Sequence, residues 1–166
     1  MMPLAADLLV LFRRDLDALA REVALFPDDE ALWRTVPGIA NSGGNLALHV
    51  AGNLRHFVGA VLGDTGYRRD RETEFGRRTG ARAEVVAELA AARATLEAVL
   101  PTLSAATLAA PFPMVVAGVQ PPTGRLLLHL TAHLAFHLGQ LGYLRRALTG
   151  DPQSAGAMGI ADLAQP

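Results

Sequence analysis

The stretch Leu126-Leu-Leu-His129-Leu-Thr-Ala-His133-Leu-Ala-Phe-His137-Leu138 carries three of the chain's five histidines at four-residue spacing. At about 100° per residue, each step of four drifts only about 40° around an α-helix, so the three imidazoles line one stripe. Apart from Thr131 their neighbours are apolar. The passage therefore reads as a core-facing helix, and imidazoles that face a core need partners. A metal ion is the single partner that serves several rings at once.

Working outward, this last helix opens after Pro121-Pro122 with Thr123 as its expected cap. It continues to Leu148 and stops at Gly150-Asp-Pro152. Three further helical segments precede it. The first follows Pro3 and repeats apolar positions at Leu4, Leu8, Leu11, Phe12, Leu19, Val23 and Phe26 before Pro27 stops it. The second follows Asn41-Ser42, either of which can cap it, and carries Leu46, His49, Val50, Asn53, Leu54, Phe57, Val58 and Val61 before ending at Gly63. The third runs from about Ala81 to Leu100 with Val85, Leu89, Leu96 and Val99 facing inward. Four amphipathic segments of about 20 residues predict an all-α four-helix bundle over residues 1–150, followed by a tail over 151–166. Two connections are long: the charged stretch from Gly63 to Gly80, and an extended crossover from Phe112 to Gln120 that also suits a short strand. Trp33 is expected to pack at the bundle end. No repeat or second domain is visible.

Composition removes several chemistries. The 166 residues suit one domain, and a formal charge of −1 favours neither nucleic acid nor an anionic membrane as partner. All 15 basic residues are arginines, and there is no cysteine. Schiff-base and thiolate catalysis on this chain are therefore excluded. The start, Met1-Met2-Pro3-Leu4, has no basic leader, and charges interrupt every apolar run, so a cytoplasmic protein with no membrane span is expected.

His133 and His137 form a helical i,i+4 pair of the kind that grips one ion. A third ligand must come from another helix, and the second helix offers His49 and His56. His49, between Leu48 and Val50, is the better inward candidate, whereas His56 follows Arg55 near the charged connection. A lone apolar-face histidine is commonly a core residue bonded to a carbonyl. Several in register argue otherwise, since each buried ring left unpaired costs about 1–3 kcal/mol. His129 reads as a group supporting the pair or as a satisfied core residue. No Glu-x-x-His pair of a di-iron bundle and no His-Glu-x-x-His motif is present. Haem between two helix histidines also fits a bundle, but a clustered triad suits one small ion better.

Three segments together carry a family resemblance: Asn41-Ser-Gly-Gly-Asn-Leu-Ala-Leu-His49-Val-Ala-Gly-Asn-Leu-Arg55, Gly66-Tyr-Arg-Arg-Asp-Arg-Glu-Thr-Glu-Phe75, and His133-Leu-Ala-Phe-His137-Leu-Gly-Gln140. In these the chain resembles the DinB-like superfamily of DinB/YfiT-type helical bundles over roughly Leu4 to Leu148. The resemblance implies a metal triad of His49, His133 and His137, a divalent ion with nickel or zinc favoured, and a homodimer. It also implies a metal-dependent enzyme, either a thiol-dependent transferase or isomerase using a low-molecular-weight thiol, or a hydrolase. A non-catalytic, metal-binding, stress-related dimer is the alternative.

Catalytic residues are less legible. Arg55 could bind a substrate carboxylate, or pair with the Asp70/Glu72/Glu74 cluster. Gln140 could orient a ligand or a water, or simply pack. Asn45 and Asn53 carry no assigned role. The run from Arg68 to Arg78 reads as a solvated, internally paired loop, and no general base can be named.

Overall fold

The computed structural model describes residues 3–164; Met1 and Met2 of the leading segment, and Gln165 and Pro166 of the tail, lie outside the described residues. The order is α1 (Pro3–Ala24), α2 (Asp29–Trp33), α3 (Gly43–Leu54), α4 (Arg71–Gly76), α5 (Arg82–Val99), α6 (Ala105–Ala109) and α7 (Thr123–Thr149). The fold is all-α. Among the described residues the extended segments make only isolated bridges, Val36 with Ile39, Pro111 with Pro122 and Val116 with Val119, so the crossover is no strand.

Helix α1 buries Leu8, Phe12, Leu16, Leu19 and Val23, a spacing of three and four that presents one apolar face. It packs on α5 and α7, and α3 packs on those same two helices, which encloses a common core. Trp33 closes one end of this core and donates its indole N–H to the Gly80 carbonyl at 2.7 Å. Ser42 caps α3 in a reciprocal box with Asn45, so of the two candidate caps the serine serves. Gly150 ends α7 at φ 71°, the left-handed conformation that a glycine adopts without strain.

Several local expectations are corrected. Thr123 is not the cap of α7. Pro122 holds that position, and the Thr123 hydroxyl and amide both donate to the Ala110 carbonyl, at 3.1 and 2.9 Å. Its hydrogen bonds therefore tie α7 to the end of α6, a short helix that precedes the crossover and is capped by Ser104. The second helix is not α-helical throughout. From Arg55 to Leu62 it widens into a π-helix. Gly59 and Gly63 lie there against α5, where a Cβ on Gly59 would stand 2.7 Å from Thr95 Cγ2 and one on Gly63 would collide with Val99. Such π segments are rare and accompany functional sites.

Beyond α7 the chain folds back. Arg145 is fully buried and pairs with buried Glu22 at 2.6 Å, while its terminal nitrogens donate to the Asp151 and Gln153 carbonyls. No helix among the described residues is long and apolar enough to cross a membrane.

Candidate metal centre

His49 comes from the middle of α3, and His133 and His137 from adjacent turns of α7. Their side chains converge. His49 Nε2 lies 3.2 Å from His133 Nε2, which lies 3.0 Å from His137 Nε2. The three ring centroids stand 4.4–5.1 Å apart. Two imine nitrogens at hydrogen-bond distance can share one proton between them, but three cannot all be satisfied by one another. Metal–nitrogen bonds of about 2.0–2.1 Å place neighbouring nitrogens of one shell roughly 3.0–3.4 Å apart. The two distances to His133 Nε2 fit that shell, and one ligand atom from each residue lies within 4.8 Å of the others, so these residues could together hold a metal ion.

The outward nitrogens are also engaged. His137 Nδ1 lies 2.8 Å from Gln140 Oε1, which accepts its proton and leaves Nε2 as the free lone pair. His49 Nδ1 lies 3.2 Å from Glu74 Oε2, and Arg69 grips the same carboxylate through Nε and Nη2, both at 2.7 Å. Arg69 Nη2 is also 3.1 Å from His49 Nδ1, so that nitrogen sits between a donor and an acceptor. Nδ1 of His49 can therefore donate to the carboxylate or accept the second Nη2 proton of Arg69, and donation is the arrangement that leaves Nε2 as the free lone pair. A carboxylate behind a histidine in this way orients the ring and raises its basicity toward a metal.

Burial, followed by the neighbouring His137 and His49 rings, lowers the His133 pKa to about 4, which keeps it a neutral donor at ordinary pH. Burial also lowers His137, against the hydrogen bond it donates to Gln140 Oε1, which acts to raise it. Burial alone would raise Glu74, but the hydrogen bonds from Arg69 and His49 together outweigh it and hold the carboxyl below its ordinary value.

Glu74 and Arg69 are the residues that reading the sequence missed. The run Arg68–Arg78 is not simply a solvated loop: Asp70 caps the short helix α4, and Glu74 within it is buried. The signal was present, since an Asp followed by acidic residues in the next turn marks a helix start. Asn45 now has a role, its amide donating to the Glu74 and Arg77 carbonyls at 2.9 Å each and fastening α4 to α3. Gly52 makes room for the carboxylate: a Cβ there would stand 2.8 Å from Glu74 Cδ and closer still to Oε1. Phe75 stacks on His49 at 4.7 Å between centroids and covers that side.

Other candidates fall outside the cluster. His56 packs on Phe57, its pKa lowered by burial and then by nearby Arg69, and it takes no part in the triad. His129 is exposed, so the expectation of a satisfied core residue is corrected. The stripe lies at the rim of the helix packing, with His133 and His137 half-buried and Phe136 outside. Arg55 does not pair with the Asp70/Glu72/Glu74 cluster. Arg69 holds Glu74, while Arg55 pairs with Glu88 of α5 and stacks on Tyr67, its guanidinium carbon 4.1 Å from the ring centroid.

The family model of the DinB superfamily matches residues 9–141. The chain belongs to the DinB superfamily. The match takes in all three histidines of the cluster, Glu74 and Gln140. No curated protein matches the sequence. For this DinB superfamily chain, family membership establishes the kinship of the fold, and any reaction has to be argued from the site itself.

Proposed function

We propose that this protein is a metal-dependent enzyme of small-molecule chemistry in which His49, His133 and His137 hold one divalent ion, nickel or zinc. The observation that carries this reading is the approach of His133 Nε2 to the Nε2 atoms of both His49 and His137, while Glu74 and Gln140 engage the Nδ1 atoms of His49 and His137. Because all three donors are neutral, a bound ion would keep its full charge and could acidify a water or a thiol held against it.

The chain's own residues do the rest. Gln140 and Glu74 fix two rings in the tautomer that turns Nε2 to the centre. Phe75 shields the His49 side, while half-buried His133 and His137 leave the opposite side open to a substrate. Glu74 is committed to Arg69 and His49, so it positions rather than moves protons. Arg55, held between Glu88 and Tyr67, supports this frame. Since the chain has no cysteine, thiol chemistry requires a low-molecular-weight thiol as cosubstrate, and a transferase or isomerase of that kind is the favoured reaction.

Exposed Leu128, Phe136 and Tyr143 recur at seven- and eight-residue intervals on α7 and support association with a second copy through that helix. Sedimentation of a Phe136→Glu/Tyr143→Glu double variant tests the homodimer. The lack of a free carboxylate at the triad favours a second reading, a metal-stabilised, non-catalytic protein.

Metal analysis after loading with nickel or zinc, followed by a screen with thiols and electrophiles, tests the proposal. One equivalent with turnover supports an enzyme. One equivalent without turnover supports the second reading, and metal only in trace amounts overturns both.

A further inference from the structure

Gln140 serves two places at once. Its Oε1 accepts from His137 Nδ1 at 2.8 Å, and the same side chain lines a cavity of about 580 Å³ between α7 and the loop that leads into α3. That volume falls in the range of small-molecule sites, about 300–1,000 Å³. Buried Leu46 and Leu144 line it with Ile39, Ala147 and the exposed ring of Tyr143. No charged residue lines it, and Asn41 and Gln140 are its two side-chain amides. Such walls suit a largely apolar, uncharged molecule, since an ion there would lose hydration and gain no partner.

The cavity begins beside the metal centre. Leu46 stands one turn before His49 on α3, and Gln140 stands one turn after His137 on α7, each on the face that carries its histidine. With Oε1 committed to His137, the Gln140 Nε2 group keeps two protons with no acceptor among the described residues. A second copy of the chain is the poorer occupant. Of the exposed α7 stripe, Leu128 and Phe136 lie outside the cavity, and Tyr143 alone borders it.

We propose that this cavity binds a neutral, largely apolar small molecule whose carbonyl oxygen accepts a hydrogen bond from Gln140 Nε2, and that its occupancy is linked to metal binding through Gln140. The linkage rests on the metal reading above; the binding site does not. A carbonyl on Nε2 polarises the amide and makes Oε1 a better acceptor for His137 Nδ1–H, which turns electron density toward His137 Nε2. It also immobilises a side chain that metal binding would otherwise have to order. Both effects have the same sign, so the carbonyl ligand and the metal favour each other.

The test uses the full-length protein, metal-free and loaded with zinc. The probe is the neutral ketone 6-propionyl-2-(dimethylamino)naphthalene, whose emission moves to the blue in an apolar site. Its competitors are 2-ethylnaphthalene, which lacks the carbonyl, and anionic 2-naphthoate. One ketone is expected to bind per chain, displaced by 2-ethylnaphthalene and at least about tenfold less well by 2-naphthoate. Ala147→Trp, which fills the cavity from its exposed edge, is expected to weaken the ketone at least about tenfold while still taking up zinc. Zinc is expected to tighten the ketone about two- to fivefold, and the ketone to tighten zinc by the same factor. 2-Ethylnaphthalene should show no such linkage, nor should the ketone on Gln140→Leu.

Undiminished ketone binding by Ala147→Trp, or a preference for 2-naphthoate, would overturn the site. An equal effect of zinc on both naphthalenes, or linkage that survives in Gln140→Leu, would overturn the role of Gln140. A ketone that binds only by splitting a dimer, as read by sedimentation, would assign the cavity to a second copy and overturn the proposal. Wild-type protein that takes up no zinc would overturn the metal reading and the linkage with it, while ketone binding to the metal-free protein still decides the site.

Discussion

Replacing Gly52 with alanine tests whether the space beside α3 is what lets Glu74 reach His49. An interior Gly→Ala change on a helix ordinarily stabilises by about 0.8–1.0 kcal/mol. Here the added Cβ would stand 2.8 Å from Glu74 Cδ, whereas ordinary contact begins at 3.4 Å. The carboxyl group must retreat by more than half an ångström, and it is held by two 2.7 Å hydrogen bonds from Arg69. Hydrogen bonds to a charged group contribute about 1.5–3 kcal/mol each. Stretching both, and pulling the carboxylate out of reach of His49, outweighs the propensity gain and leaves a net destabilisation of about 1–3 kcal/mol. Metal affinity should also fall about 10- to 100-fold, because His49 is then without the carboxylate that orients it. Gly139 on α7 supplies the control, since a Cβ there meets nothing within 4 Å. Gly139→Ala should therefore stabilise by up to about 1 kcal/mol. Urea unfolding of the metal-free proteins and competitive metal titration read both quantities. A Gly52→Ala protein that is stabilised as much as Gly139→Ala and binds metal as wild type does would refute the role given to Gly52.

Three other outcomes follow from the same geometry. Substituting any one of His49, His133 or His137 by alanine should abolish stoichiometric metal uptake, whereas His56→Ala and His129→Ala should leave it intact; metal analysis after dialysis distinguishes the two sets. The metal-free protein should lose stability as pH falls from 6.5 toward 4, because His133 is held at about 4 in the fold and takes up its proton near 6.5 when unfolded. Depressed Glu74 adds a loss in the same direction at still lower pH, and a melting temperature flat across the window from 6.5 to 4 would contradict the His133 assignment. Glu22→Ala strands the fully buried Arg145 and should destabilise the fold by roughly 3–5 kcal/mol. It should also expose residues 151–156 to limited proteolysis, since Arg145 and Glu22 both hold that segment.

The all-helical fold and the candidate triad were legible in the sequence because both rest on periodicity. Apolar positions at three- and four-residue intervals bury α1, and the same helical arithmetic sets His133 and His137 on one stripe before any contact is known. The choice of His49 over His56 came from flanking residues and from resemblance, and the structure brings His49, not His56, to the pair. Contacts between distant stretches were invisible, since nothing in the order of residues states which charge meets which. Glu74 looked like one member of a solvated run until α4 folded onto α3. Arg55 had three acidic neighbours in the loop and found its partner instead in Glu88 of α5. The room that Gly52 leaves for a carboxylate is likewise a property of packed helices. Local spacing is written into the chain by the geometry of one helix, whereas burial and pairing exist only once several helices share a core.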